Sequence, residues 1–334
     1  MVKDDVLRAL EAARGERVSG GQLAARLGVS RTAVWKAVDA LRAEGLAIES
    51  TPGGGYLLPA ADDSLTGAGV AALLGETAVI GRDLLVREEV DSTNTRIKRE
   101  FAAERADGFT LIAGRQTAGR GRLGRSFASP AGDGLYLSVL LRPNLPVERL
   151  NFITIAAAAA VCRAIETAAG FAPGIKWVND VLMDGKKLCG ILTEASIEGE
   201  SGAVAYAVLG IGVNLRFDPE AHPELRGIAG GLADFCGQPP RRAALAAAIL
   251  RELDRVYALL RAGDTASVLE EYRARLLCLG EPVTVRGADG DWEAVCTGVD
   301  GAGHLLVEDS RGAHTLTSGE ISIRLPGQPG GPSR

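Results

Sequence analysis

Histidine is scarce in this chain. There are three in 334 residues, His222, His304 and His314. None has a cysteine or histidine neighbour at ligand spacing, so neither a structural zinc site nor a histidine-based triad is expected. The five cysteines, Cys162, Cys189, Cys236, Cys278 and Cys296, are far apart and form no CxxC pair. An odd number of scattered thiols reads as reduced and cytoplasmic. The N-terminus, MVKDDVLRAL, lacks the apolar core of a signal peptide. The most apolar stretch, near Ile153 to Val161, reads as too short to span a bilayer, so no membrane partner is expected. An excess of positive charge is also missing. The net charge is −5, so the chain as a whole is not built to coat nucleic acid, and any DNA contact must be local.

Positive charge is instead concentrated in one place. Gly114 to Phe127, GRQTAGRGRLGRSF, holds four arginines and four glycines with no acid. Unpaired charge is costly to bury, so this is a loop. Glycine lets a backbone approach a ligand closely, and arginine forks grip carboxylate and phosphate oxygens in pairs. The reading is a mobile loop that closes over an anion. Gly119-x-Gly121-x-x-Gly124 matches a dinucleotide fingerprint by letter, and Gly119 to Ser126 falls one residue short of a P-loop. Both need a helix directly after the glycines. The chain continues instead as a turn and an apolar strand, Leu135 to Leu141, so both are rejected.

The first sixty residues carry a different signature. Leu23, Leu27, Val29, Val34 and Ala37 place two short helices around one core, with Gly28 at the tight turn and Ser30 as N-cap of the second helix. A hairpin follows from Leu46 to Leu58, with its glycine-rich tip at Thr51 to Gly55. Together these predict a winged helix-turn-helix. Ser30, Arg31, Thr32, Trp35 and Lys36 lie near the start of the second helix, where a recognition helix meets bases and phosphates. Trp35 is also open to a core role.

Beyond a short polar linker at residues 59–64, strands are expected at Leu84–Val90, Thr110–Gly114, Leu135–Leu141, Leu188–Glu194 and Ala203–Leu215. A long apolar helix is expected at Val147–Ala169. The mixture predicts an α+β chain of several domains, whose central mixed α/β sheet is covered by helices on one face. Polar groups gather at the strand ends: Ser92, Thr93 and Asn94; Gln116 with Arg120, Arg122 and Arg125; Lys176, Asn179 and Asp180; Lys187; and Asn214. That density suggests a site for a carboxylate plus a nucleotide. Short β runs from Glu281 to Arg324 read as a small SH3-like barrel. The tail from Pro326 is Pro- and Gly-rich and is expected to be disordered. The boundaries expected are 1–62, 63–277, 278–325 and 326–334.

The motifs Asp91-Ser-Thr-Asn94, Gly119-Arg-Gly-Arg122-x-Gly-Arg125, Lys176-Trp-x-Asn-Asp180, Lys187-x-x-Gly190-Ile-Leu192 and Gly210-Ile-Gly-Val-Asn214 resemble those of biotin protein ligases. With the helix-turn-helix in front, the chain resembles the bifunctional ligases that also repress the biotin operon. Phe127 stands where that family usually has tryptophan, and Val178 where it has proline. The resemblance implies a class II aminoacyl-synthetase-like catalytic domain. It implies ATP and biotin as substrates, Mg²⁺, a biotin carboxyl carrier protein of acetyl-CoA carboxylase and operator DNA as partners, and a ligand-promoted homodimer. It places Ser92, Thr93, Asn94, Gln116, Gly119, Arg120 and Lys187 around biotin. Arg122, Arg125, Lys176, Asn179, Asn214 and Arg324 fall around the nucleotide, with Asn214 near the metal. Arg122, Lys187 and Asp180 are the residues expected to carry the chemistry. A lipoate- or octanoate-transferring relative, and a ligand-sensing repressor with an inactive catalytic domain, are the alternatives. The regulatory domain with the paired KWxND and GRGRxGR motifs weighs against the first, and the intact Arg122, Asp180 and Lys187 against the second.

Overall fold

In this computed structural model the described residues are 2–51, 53–197, 204–287, 290–317 and 320–323. The N-terminal unit is built from α1 (Val2–Ala12), β1 (Arg17–Val18), α2 (Gly20–Leu27), α3 (Arg31–Ala43), β2 (Glu49–Thr51) and β3 (Gly55–Leu57). The three strands form one sheet in the order β1-β3-β2. The turn after α2 is made by Gly28 at φ 66°, a left-handed position that suits glycine. Ser30 caps α3 by accepting the Ala33 N–H at 3.1 Å, a contact worth about 1 kcal/mol. Ser19 and Gln22 form a reciprocal capping box on α2. Val6, Leu7, Leu10, Leu23, Val34, Val38 and Leu41 are fully buried and give this unit its own core.

The linker is anchored. Arg14 donates to the carbonyls of Pro59 and Asp62. Further along, Asp63 accepts both the backbone N–H and the Nε of Arg242 at 2.7 Å. Glu11 of α1 also pairs with Arg241 at 3.1 Å, so the helix-turn-helix is tied to the start of a helix far along the chain.

The central unit follows with α4 (Gly67–Leu74), β4 (Leu84–Val90), α5 (Thr93–Arg96), β5 (Thr110–Gln116), β6 (Gly134–Leu141), α6 (Asn151–Ala169), β7 (Gly174–Lys176), β8 (Asp180–Met183), β9 (Lys186–Ile197) and β10 (Val204–Asn214). It ends with α7 (Ala233–Cys236), α8 (Arg242–Arg261) and α9 (Thr265–Arg273). A turn of π-helix, Ile97–Phe101, extends α5. The seven strands form one sheet in the order β4-β5-β6-β10-β9-β8-β7, with β4 and β5 parallel and the other neighbours antiparallel. Helix α6 packs on α8 and α9. The alanines from Ala156 to Ala160 are all buried, and such small side chains permit close packing. The stretch Val147–Ala169 is long and apolar enough to cross a membrane by length and composition, more than the alanine run alone indicates. Here it packs mostly buried as a core helix. A smaller cluster, including Ile97, Phe109, Leu111, Leu140 and Val208, forms a separate core.

The C-terminal strands β11 (Pro282–Gly287), β12 (Gly290–Val299), β13 (Leu305–Asp309), β14 (Gly312–Leu316) and β15 (Glu320–Ile323) form an antiparallel sheet in the order β14-β13-β12-β11-β15. Its buried residues, such as Val283, Cys296 and Val307, belong to the same core as the central unit. The Gly303 carbonyl accepts both Trp177 Nε1 at 3.2 Å and Asn151 Nδ2 at 3.3 Å. Thus the C-terminal sheet buttresses the Lys176–Asp180 turn.

Candidate active site and DNA-binding helix

The floor of the site is made of missing side chains. Ser138 of β6 pairs with Gly210 of β10, which pairs with Leu192 of β9, so these positions share a sheet face. At Gly210 a Cβ would collide with Asn94 Oδ1. A Cβ at Gly212 would lie 2.5 Å from the Phe127 ring. At Gly190 it would lie 3.2 Å from both Lys187 Nζ and Phe127 Cε2. Phe127 therefore lies over two glycines, and its ring is T-shaped to Tyr136, with the centroids 6.5 Å apart.

One wall is the start of α5. Ser92 is its N-cap residue, and Thr93 and Asn94 point inward, all three buried. Thr93 donates its N–H to Gln116 Oε1 at 2.8 Å. Gln116 Nε2 reaches Ser129 Oγ at 2.9 Å. Asn94 Nδ2 donates to Glu194 Oε2 at 2.8 Å and to the Leu192 carbonyl at 3.3 Å. Glu194 also accepts Lys98 Nζ at 2.7 Å and sits 3.4 Å from Arg120. Burial pushes the Glu194 carboxyl up. The hydrogen bonds from Lys98 and Asn94 and the nearby Lys98 and Arg120 charges outweigh that, and hold it below the usual carboxylate range.

The arginine loop is a compact turn closed on itself. Gly121 N–H donates to the Arg125 carbonyl at 2.7 Å, and Phe127 N–H to the Gly119 carbonyl at 2.9 Å. Leu123 sits at its tip with φ 54° and is 74% exposed. At the loop's root, Ala118 N–H donates to the Asp91 carbonyl, joining it to the segment that opens α5. Its glycines serve close packing as well as reach: a Cβ at Gly119 would lie 2.6 Å from Ser129 Oγ.

The charged end is built from two pairs. Arg122 Nη1 donates to Asn179 Oδ1 at 3.0 Å, and Asn179 Nδ2 donates to the Ile191 carbonyl at 2.9 Å. Lys187 Nζ lies 2.7 Å from Asp180 Oδ1. The Trp177–Val178 peptide between β7 and this pair is cis. Asn214 Nδ2 donates to the Gly230 carbonyl at 3.1 Å. The Gly230 N–H in turn reaches the Lys187 carbonyl, so Asn214 braces the strand that carries Lys187.

Ser92, Thr93, Asn94, Gln116, Arg120, Arg122, Asn179 and Lys187 line one cavity. It has a volume of about 50 Å³, room for a few waters, and Phe127 is part of its lining. Arg122 also lines a second cavity of about 280 Å³ between the start of α6, Trp177 and Thr317. Gly119, Asp180 and Asn214 are not among the lining residues of the first. Arg125 and Lys176 line neither cavity. Arg324 and the tail from Pro326 lie outside the described residues. Among the described residues no group of three or more His, Cys, Asp or Glu is placed to hold a metal ion, and Cys162, Cys189, Cys278 and Cys296 are buried free thiols. Sequence reasoning missed Lys98, Ser129, Ser138 and Glu194.

On α3, Arg31, Thr32 and Lys36 are exposed. Trp35 is 54% exposed and so belongs to the surface rather than the core. The Arg31 guanidinium lies over Gly21 of α2, where a Cβ would come within 2.9 Å of it.

Helix-turn-helix, glycine-floored sheet and arginine loop together define a cofactor–protein ligase fused to a DNA-binding module. Three family models match in that order: an HTH domain at residues 3–57, the Biotin/lipoate A/B protein ligase family at 86–214, and the Biotin protein ligase C terminal domain at 278–324. The chain is 33% identical over 324 residues to the bifunctional ligase/repressor BirA of Bacillus subtilis, covering 96% of this chain and 98% of that one. It is 30% identical to BirA of Escherichia coli, covering 93% and 94%. The solved biotin protein ligase of Aquifex aeolicus in complex with biotin and ATP matches with a TM-score of 0.63 and 31% identity, over 73% of this chain and 99% of that one. The chain belongs to the biotin protein ligase family, in its bifunctional ligase/repressor form.

Proposed function

We propose that this protein joins biotin to ATP, giving biotinyl-5′-AMP and pyrophosphate, and then passes biotin to a lysine of a biotin carboxyl carrier protein of acetyl-CoA carboxylase. The observation that carries this reading is the Arg122–Asn179 pair together with the Lys187–Asp180 pair at a glycine-floored pocket that Arg120, Arg122 and Lys187 line. A carboxylate attacking a phosphate needs no base, because it is ionised near neutral pH. Its obstacle is repulsion between anions, which Arg122 and Lys187 relieve. The second step needs a neutral amine, and Asp180 is the acceptor we assign for its proton. Ser92, Thr93, Asn94, Gln116, Gly119 and Arg120 form the biotin side. Arg125, Lys176, Asn179, Asn214 and Arg324 belong to the nucleotide side.

Mg²⁺ would arrive on the nucleotide's phosphates. It keeps several waters and needs few protein ligands, which fits a site without a carboxylate cluster. When bound it neutralises phosphate charge, and Asn214 is the side chain we place nearest it. We take the chain as a helix-turn-helix over 1–62, a class II synthetase-like catalytic domain over 63–277, an SH3-like barrel over 278–325 and a tail over 326–334. The adenylate promotes a homodimer, whose paired α3 helices repress biotin genes at a two-fold operator. The buried free thiols suit a reducing cytoplasm. Biotin-dependent pyrophosphate exchange, without carrier, tests the first step. Exchange with lipoate but not biotin would overturn it.

A further inference from the structure

Tyr272, in the last turn of α9, is fully buried and lines neither cavity of the site. Its hydroxyl donates to the Val178 carbonyl at 3.2 Å. Lys176 pairs with Asp180 in register, so Val178 is the middle residue of the turn that joins β7 to β8. Burial pushes the Tyr272 phenol well above its ordinary range, so at neutral pH it keeps its proton and remains a donor. Val178 is itself buried, so its carbonyl has little water to turn to if that donor is lost. The other ties on this turn come from the same part of the chain. Ile175 donates its N–H to the Arg275 carbonyl at 2.7 Å and accepts the Leu277 N–H at 2.9 Å, and Trp177 reaches Gly303. These hold the approach to the turn, whereas Tyr272 holds its tip.

The Val178 carbonyl and the Asn179 N–H belong to one planar peptide unit. Fixing the carbonyl therefore fixes the direction in which the chain enters Asn179. Asn179 then carries that direction to the site. Its carbonyl accepts the Ile191 N–H at 3.1 Å, its Nδ2 donates to the Ile191 carbonyl at 2.9 Å, and its Oδ1 accepts Arg122 Nη1 at 3.0 Å. We propose that Tyr272 is a positioning residue for the nucleotide half of the site: its hydroxyl orients the Val178–Asn179 peptide, so that Asn179 presents Arg122 to the phosphates of ATP. The inference rests on the assignment of Asn179 and Arg122 to the nucleotide made above.

Tyr272→Phe deletes the hydroxyl and little else. Biotin-dependent pyrophosphate exchange, with ATP and biotin varied in turn, reads the outcome. The KM for ATP is expected to rise about tenfold, the scale of one buried hydrogen bond. The KM for biotin should stay within about twofold, because that side is built on α5 and β5. Asn179→Ala should show the same selectivity for ATP. The double variant should be no worse than Asn179→Ala, since Tyr272 acts through that side chain.

Tyr257→Phe is the control for stability. Tyr257 is a buried tyrosine of α8 whose hydroxyl donates to Asp107 at 2.9 Å, and it lines neither cavity of the site. Its loss should lower the melting temperature and leave both KM values at those of the wild-type protein. An unchanged KM for ATP in Tyr272→Phe overturns the role, as does a KM for biotin that rises with it. Effects of Tyr272→Phe and Asn179→Ala that multiply in the double variant overturn it too. So does an equal rise in the KM for ATP in Tyr257→Phe, or a Tyr272→Phe protein that does not fold, which would mark the hydroxyl as structural. A normal KM for ATP in Asn179→Ala would overturn the nucleotide assignment, and the inference with it.

Discussion

Lys187 Nζ sits 2.7 Å from Asp180 Oδ1, so the cation we assign to the nucleotide phosphates is already held by the carboxylate we assign to the later amine. The next residue back, Asn179, holds Arg122 in the same way. One turn thus holds both Arg122 and Lys187, and Trp177 fixes that turn to the C-terminal sheet through Gly303.

Lys187→Ala should slow adenylate formation far more than transfer from preformed adenylate, because anion repulsion dominates only the first step. A loss of ~10²–10³ in the first rate is expected. Single-turnover measurements of each half-reaction check it; equal slowing of both would contradict the role.

Arg122→Ala should lower the melting temperature by little. The residue is half-buried in a loop whose turn is held by backbone hydrogen bonds, and such positions contribute about 0.5 kcal/mol or less. What should change is retention: the adenylate leaks to solvent and is hydrolysed. A marked fall in melting temperature with normal retention would show that the residue is structural.

Gly212→Ala should oppose ligand entry. The added methyl would lie 2.5 Å from the Phe127 ring, and overpacking of this kind costs roughly 1–3 kcal/mol. Adding Phe127→Ala should restore much of that stability. Thermal melts of the two single variants and the double variant form the cycle, and strictly additive effects would mean that the two sites do not touch.

The pH dependence of stability should carry the mark of Glu194. Its folded-state carboxyl is depressed, so its contribution is fully present above the unfolded carboxylate value of about 4.3 and is lost as pH falls through the lower folded value. Glu194→Gln should therefore flatten the acid limb of a melting-temperature profile. An identical limb in both proteins would show that other carboxylates set it.

Biotin with ATP should raise the sedimenting mass to that of a dimer and tighten operator binding. The ligand can shift this equilibrium only by binding the dimer better than the monomer. Alanine at Arg31, Thr32 or Lys36 should weaken DNA binding without affecting biotin transfer, and the affinity of the unaltered protein should fall as salt rises. A mass indifferent to ligand would leave the helix-turn-helix unregulated.

The helix-turn-helix was legible because its signals are local. Gly28, Ser30 and the apolar spacing lie within one short stretch, and caps act over three residues. Motif residues at strand ends were legible for a similar reason. Glu194 and Ser138 were not, because only sheet register brings them together: β10 lies between their strands, and Gly210 leaves the gap that Asn94 fills. Helices α4, α8 and α9 went unread, having no chemistry to draw attention. Trp35 was ambiguous because an exposed aromatic on a recognition helix and a core aromatic look alike in one dimension.

The floor at Gly190, Gly210 and Gly212 gives the site an asymmetric vulnerability. Glycine is the smallest residue, so every substitution at these positions adds atoms to space already held by Lys187, Asn94 and Phe127. A pocket lined by large side chains can lose a contact or gain one by drift. Along this floor single replacements can only fill the site, and restoring the lost space would require trimming Asn94 or Phe127, residues the pocket itself uses.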